Sequence, residues 1–293
     1  MEVDIEHLKT WEGREECVAD ELHATPLPLM SATLDRDDPP PRDGDPLPPY
    51  WHLLYFLTAS RQSILGADGH PPRGGFLPPV PLPRRMFAGA RIDFLRPLRI
   101  GQRVERRSTV VSVSRKQGRS GEMVFLLLRH AFSDADGICV VEEQDIVYRD
   151  HPPAAAAPTA GAVSPAPTFA DLPTAAWTRQ ITPDPVLLYR YSALTFNGHR
   201  IHYDHPYATQ VEGYPGLVVH GPLQATLLLD LLRRERPDIT PAQFRFRAVN
   251  PLYCVGAFQL RGAPVVDGFE LWIEDQQGRP TMQAYVTADM QNK

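Results

Sequence analysis

The ten residues Leu223-Gln-Ala-Thr-Leu-Leu-Leu-Asp-Leu-Leu232 constrain this chain more than any other stretch. Read as a helix, they are apolar on nearly every face, interrupted only by Gln224, Thr226 and Asp230. A helix wetted on one side carries a stripe, whereas one that is apolar all round has to be enclosed. Pro222, just upstream, suits the first helical position. The run is far too short to cross a bilayer. A sheet curved around a buried helix, the hot-dog arrangement, satisfies these demands.

The rest of the chain repeats that logic. The segment 151–170 (HPPAAAAPTAGAVSPAPTFA) is rich in Ala and Pro, uncharged after its first residue and without periodicity. It reads as a semi-rigid linker between an N-terminal half, 1–150, and a C-terminal half, 171–293. The first half offers a helix over Tyr50–Leu65, with Trp51, Leu53, Leu54, Phe56 and Leu57 as its apolar face. A Pro-Leu corner follows at 94–101, then strand-like runs near 104–115, 122–133 and 138–148. The second half offers a helix over Leu223–Arg236, a Pro-Leu corner at 249–256 and runs near 257–262, 268–274 and 280–289. In both, the last two runs are joined by Asp-x-x-Gly: Asp134-Ala-Asp-Gly137 and Asp275-Gln-Gln-Gly278. Asp bonds its own backbone in such turns and Gly accepts positive φ. Order and turn chemistry together predict an internal duplication. The expected class is α+β, a double hot dog: antiparallel sheet wrapped around a central buried helix, twice, with the halves sharing one extended sheet.

Composition excludes several functions. A net charge of −5 gives no electrostatic footprint for nucleic acid or an anionic membrane. The cysteines, Cys17, Cys139 and Cys254, are odd in number and far apart, which argues against a disulfide framework or a zinc site. The acidic opening, Met1-Glu-Val-Asp-Ile-Glu6, lacks the apolar core of a signal peptide, so the cytoplasm is the expected compartment.

Chemistry concentrates in Tyr191-Ser-Ala-Leu-Thr-Phe-Asn-Gly-His-Arg-Ile-His-Tyr-Asp204 and Gly213-Tyr-Pro-Gly-Leu-Val-Val-His-Gly-Pro222. Imidazoles, an amide and a carboxylate stand beside a glycine-punctuated approach to the enclosed helix. Free N–H groups at a helix start stabilise negative charge, and a histidine handles protons near neutral pH. A proton shuttle beside an oxyanion site is what carbonyl chemistry requires.

On four stretches the chain resembles the MaoC-like, R-specific enoyl-thioester hydratases and dehydratases. These are Leu47-Pro-Pro-Tyr-Trp-His52, Pro83-Arg-Arg-Met-Phe-Ala-Gly89, Phe196-Asn-Gly-His-Arg-Ile-His-Tyr-Asp204 and Glu212-Gly-Tyr-Pro-Gly-Leu-Val-Val-His-Gly-Pro222. It is most similar to the two-half branch with the type 2 3-hydroxyacyl-thioester dehydratases and the mesaconyl-C4-CoA and itaconyl-CoA hydratases. The resemblance implies reversible addition of water across the α,β-bond of an acyl-CoA. A branched dicarboxylic enoyl-CoA is the preferred substrate, and a fatty-acid-type 3-hydroxyacyl thioester the close second. Two other classes stay open: a thioesterase, and a non-catalytic acyl-CoA-binding protein.

The family's motif carries an Asp and a His five positions apart. Laid on this chain, the His falls on His202 and the Asp on Asn197, which cannot accept a proton at neutral pH. The resemblance therefore implies His202 as base, Asn197 as holder of water or thioester, and His199 and Asp204 as supports. The Gly221 N–H is the implied oxyanion donor, with Gly216 lining the approach; the alternative for both glycines is tight turning alone. Arg200, Arg84 and Arg85, with Arg91 nearby, are candidates for a substrate carboxylate or the phosphates of coenzyme A, against the alternative of solvated surface arginines. The first half has no counterpart of 197–202, so one site per chain is expected. No metal and no cofactor beyond the coenzyme A of the substrate is implied. The expected partner is the acyl-CoA, with neither nucleic acid nor membrane, and there is room for a homodimer.

Overall fold

The computed structural model describes residues 3–118, 121–150 and 172–288, so the 151–170 stretch read as a linker lies outside the described residues. Among the described residues, ten strands form one antiparallel sheet. They are β1 (Glu15–Glu21), β2 (Arg84–Phe94), β3 (Arg103–Gly118), β4 (Gly121–Asp134), β5 (Gly137–Arg149), β6 (Trp177–Ile181), β7 (Pro241–Ala248), β8 (Phe258–Val265), β9 (Gly268–Glu274) and β10 (Pro280–Ala288). Their order across the sheet is β1-β3-β4-β5-β2-β7-β10-β9-β8-β6. Each half thus contributes its first strand as an outer edge, its second as the seam, and its last three as a meander between them. The six strand-like runs are all strands, and the two Asp-x-x-Gly turns close β4 onto β5 and β9 onto β10.

The halves meet where β2 pairs with β7, from Gly89 opposite Arg247 to Asp93 opposite Gln243. Gly89 sits at a register shift in β2, and a Cβ there would collide with the Phe246 carbonyl oxygen. The seam closes because no side chain stands at that point.

The helices are α1 (Ile5–Lys9), α2 (Pro26–Thr33), α3 (Pro185–Leu194) and α4 (Gly221–Glu235). Helix α4 is enclosed as expected: every residue from Leu223 to Leu232 is buried. Leu, Ala and Gln favour the helix, Arg233 and Arg234 complement its C-terminal dipole, and Pro237 stands beyond its end. Its side chains join those of both halves in one large core. Asp230, the buried charge inside it, accepts from Arg36 (2.8 Å), Arg179 (2.7 Å) and Arg234 (2.8 Å). That cluster ties the far end of α4 to the segment after α2, which belongs to the other half.

The helix expected over Tyr50–Leu65 is not formed. The segment holds two short 3₁₀ turns, Trp51–Leu54 and Gln62–Ile64. Tyr50 and Phe56 take positive φ (72° and 56°), which no helix continues. The chain is captured by β1 instead. The Phe56 N–H donates to Asp20 Oδ2 at 2.7 Å, and the Tyr55 hydroxyl donates to the His23 carbonyl at 2.6 Å. Trp51, Leu54, Tyr55 and Phe56 are buried all the same. Their apolarity reported burial, not helix. The hot dog of the first half therefore lacks the central helix of the second.

Candidate active site

Helix α3 launches the motif. Asp184 caps it by accepting from the Leu187 N–H at 2.7 Å, and Pro185 occupies the first turn. It stops where Phe196 turns left-handed (φ 49°) and the Asn197 N–H donates back to the Ser192 carbonyl at 2.8 Å. Asn197 Oδ1 then accepts from the His199 N–H at 3.0 Å, an Asx turn that sets the path of the following residues. The Asn197 side-chain NH2 donates to no described residue, and Asn197 lines a cavity of about 290 Å³.

His202 lies on the wall of the same cavity, buried at the end of a 3₁₀ turn, Arg200–His202. Its Nδ1 stands 2.7 Å from the Val218 carbonyl oxygen. A carbonyl has no proton to give, so Nδ1 carries the hydrogen and donates. In the neutral ring that leaves the lone pair on Nε2. Burial first, then neighbouring His199, push the His202 pKa down to about 3, against a small opposing effect of the Val218 bond. The ring is neutral at physiological pH. His220 stacks on it, ring centroids 3.7 Å apart and 19° from parallel, and is itself anchored by Ser192 Oγ at 2.9 Å. Burial holds His220 well below the usual imidazole range, with His202 adding to the effect. Two face-to-face imidazoles in a dry site resist protonation of either one.

His220 also precedes α4, whose first residue, Gly221, borders the cavity. Pro222 has no N–H, so the Gly221 amide is the foremost donor at this helix start. Gly221 has no positive φ, and a Cβ would only touch Phe87 Cδ1 at 3.5 Å. Backbone strain is therefore not why glycine stands here.

The N-terminal half closes the other side of the cavity with the loop before β2. The Arg200 N–H donates to the Asp68 carbonyl at 2.9 Å, and Arg200 Nη1 donates to the Ala67 carbonyl at 2.9 Å. Gly69, at φ 86°, lies so near that a Cβ would collide with the Gly198 carbonyl oxygen. This contact brings His70 onto His199, ring centroids 4.2 Å apart. His70 Nδ1 lies 2.9 Å from Asp68 Oδ2. Burial opposes ionisation of Asp68, yet the bonds from His70 hold its pKa below the usual carboxylate range. Burial and His70 push His199 down to about 3. Among the described residues, Asp68, His70 and His199 are the set whose ligand atoms, within 4.8 Å of one another, could hold a metal ion. The Asp68–His70 hydrogen bond competes with that use.

The remaining candidates are placed differently from expectation. Asp204 does not support His202: it binds the Arg200 fork (2.9 and 2.7 Å) and accepts from the Tyr207 N–H at 3.1 Å. Val218 and His220 do the orienting instead. The Arg200 guanidinium, taken up by Asp204, Ala67 and the Tyr207 ring, is a strut between loops. Gly216 does not line the cavity; it is buried where a Cβ would meet Val255 Cγ1 at 2.7 Å. Arg91 is held by Glu143 (3.0 Å) and Asp145 (2.7 Å). Arg84 and Arg85 do line the cavity. Arg84 pairs with Glu212 (Nε–Oε2 3.0 Å), donates to the Glu212 carbonyl and lies over the Tyr214 ring. Asp68, His70, His220 and Arg149 went unnoticed in the sequence. Only His220 left a local trace, as the residue between an apolar pair and the Gly-Pro helix start.

Comparison with known proteins identifies the family and the fold. The profile of the hydroxyacyl-thioester dehydratase type 2 family matches residues 50–254. A mesaconyl-C(4)-CoA hydratase of Chloroflexus aurantiacus is 46% identical over 280 residues, covering 94% of this chain and 96% of the relative. A mitochondrial hydroxyacyl-thioester dehydratase type 2 of Schizosaccharomyces pombe is 28% identical, over 71% of this chain and 74% of its own. Among solved structures, a MaoC-like dehydratase from Phytophthora capsici superposes with a TM-score of 0.69 at 13% identity, covering 97% of this chain and 98% of that one. A Mycobacterium tuberculosis protein with a double hot-dog fold gives 0.58 at 15% identity, covering 94% and 96%. The fold is thus the double hot dog. No helix among the described residues is long and apolar enough to cross a membrane.

Proposed function

Because the chain belongs to the hydroxyacyl-thioester dehydratase type 2 family, we propose that it adds water reversibly across the α,β-bond of an acyl-CoA thioester, with mesaconyl-C4-CoA as the substrate. The substrate reading rests on 46% identity over nearly the whole length to a hydratase of that name. The catalytic reading rests on one observation: a buried, neutral His202 with its tautomer set by Val218 shares a cavity with the N–H of Gly221.

In hydration, water sits between His202 Nε2 and the Asn197 NH2. His202 takes one proton as the oxygen adds to Cβ. Electron density moves to the thioester oxygen, where the Gly221 N–H at the positive end of α4 stabilises it. The protonated His202 then returns its proton to Cα, so H and OH are added and the ring ends neutral. An imidazole pushed down to about 3 is a weak base on its own. The enolate charge growing beside it raises its proton affinity only as the transition state forms. Asn197 supplies hydrogen bonds but no proton, which leaves His202 to work as both base and acid. Asp68 and His70 stand beside His199 on the cavity wall.

The test is to mix the protein with mesaconyl-C4-CoA while recording enoyl-thioester absorbance and free thiol. Loss of absorbance without thiol release is the expected result; thiol release would mean hydrolysis. His202→Ala should lower kcat by about 1,000-fold or more, since general base and acid act through one ring. A His202→Ala rate within a few-fold of the parent would overturn the assignment.

A further inference from the structure

Two of the cavity-lining arginines, Arg85 and Arg149, have no carboxylate partner among the described residues, and of these only Arg149 is buried. Arg84 is matched by Glu212 at 3.0 Å. Arg149, the last residue of β5, stands directly opposite Arg84 in the β2–β5 pairing and is only 8% exposed. No described carboxylate pairs with it, and its Nε has no hydrogen-bond partner. It lines the cavity beside Met123, its other cross-strand neighbour, and Val147. A guanidinium stays charged at neutral pH, so among the described residues the fold buries a cation with no carboxylate to balance it. That arrangement is unfavourable unless a ligand completes it.

We propose that Arg149 receives the free carboxylate of a dicarboxylic acyl group, with the apolar surface of Met123 and Val147 against the carbon chain beside it. The inference rests on the hydratase reading given above and identifies what selects its substrate. The geometry favours a carboxylate over a coenzyme A phosphate. The phosphates are strongly hydrated and suit Arg85, which lines the same cavity but is only half-buried. Arg149 sits among buried residues, where a planar carboxylate can meet its fork by two parallel bonds. A monocarboxylic acyl chain would leave the buried guanidinium unpaired, which turns the residue into a filter as well as an anchor.

The experiment compares mesaconyl-C4-CoA with crotonyl-CoA, which has the same coenzyme but no second carboxylate. For Arg149→Gln, the ratio of kcat/KM for mesaconyl-C4-CoA to that for crotonyl-CoA should fall about 100-fold, as expected for loss of a charge-assisted bidentate contact. Arg149→Lys, keeping charge without the fork, should recover part of that ratio. An unchanged ratio overturns the proposal; equal losses on both substrates, carried by KM, would assign Arg149 to the coenzyme instead. A second measurement needs no variant. Succinyl-CoA, a saturated dicarboxylic analogue, should inhibit the parent protein at least about 10-fold more tightly than butyryl-CoA. Equal inhibition also overturns the proposal. If the parent hydrates crotonyl-CoA but not mesaconyl-C4-CoA, the hydratase reading stands and the carboxylate receptor falls; if it hydrates neither, both fall.

Discussion

The two halves share one strand order, yet they fill their sheets differently. The C-terminal half wraps β6–β10 around α4, and the start of that helix delivers Gly221 to the cavity and His220 to the face of His202. The N-terminal half has no such helix. Short 3₁₀ turns and a long loop take its place, and that loop crosses over to press Asp68, Gly69 and His70 against the motif of its partner half. Its strands add Arg84, Arg85 and Arg149. Where the second half has its helix, the first has chain that reaches the other half's cavity. On the proposed reading, the reacting groups belong to one half, while the other encloses them and supplies the arginines that would meet the substrate.

The largest effect that would break this division concerns Asp230, where the far end of α4 is bound to the other half. Asp230→Leu leaves Arg36, Arg179 and Arg234 around an apolar side chain. Since removing one partner of a buried charged cluster costs about 3–5 kcal/mol, urea unfolding should show a loss of that order. A change below about 1 kcal/mol would mean the halves do not depend on that tie.

A smaller effect is expected where the crossing loop docks. Gly69→Ala places a Cβ at positive φ against Gly198. The strain of a non-glycine residue there is about 1–2 kcal/mol, and the loop can yield by lifting off. Stability should therefore fall little while kcat/KM drops about 10-fold, the same energy read at the site. Unaltered kinetics would show that the N-terminal loop adds nothing to the reaction.

The smallest effect at neutral pH, growing with acid, separates the halves by their histidines. His199 and His202 are pushed down to about 3, whereas unfolded imidazoles titrate near 6.5. Between those values the unfolded chain binds more protons than the folded one. Their contribution is therefore complete above about pH 6.5 and is lost as pH falls towards 3. His220 acts in the same direction. The first half has its own buried, depressed His130, so the contrast is of three against one among the groups so shifted. Hydrogen exchange measured at falling pH should rise sooner in 197–220 and α4 than in β3–β5. Simultaneous opening would show that the shared sheet makes the halves one cooperative unit.

Much of the site was legible locally. Asn197, His199, His202 and Gly221 lie within 25 positions of one another, set out by an Asx turn and a helix start that short-range rules describe. Asp204 and Arg200 looked equally chemical, but at four residues apart on a turn they found each other. Asp68, His70 and Arg149 carried no such signal, because nothing near them in the chain distinguishes them from loop and strand-end residues.

By itself, the amino-acid order determined the enclosed helix, the two meanders with their Asp-x-x-Gly turns, and the polar cluster ahead of α4. Periodicity, turn chemistry and apolar content act over a few residues, so they can be read without coordinates. Only the tertiary structure decided that the first half would go without its helix, that His202 would lean on Val218 and His220, and that Arg149 would be buried with no carboxylate among the described residues. Each of those depends on which groups from distant segments reach one another once the sheet closes, and a low-dielectric interior makes such meetings, or their absence, count far more than any local preference.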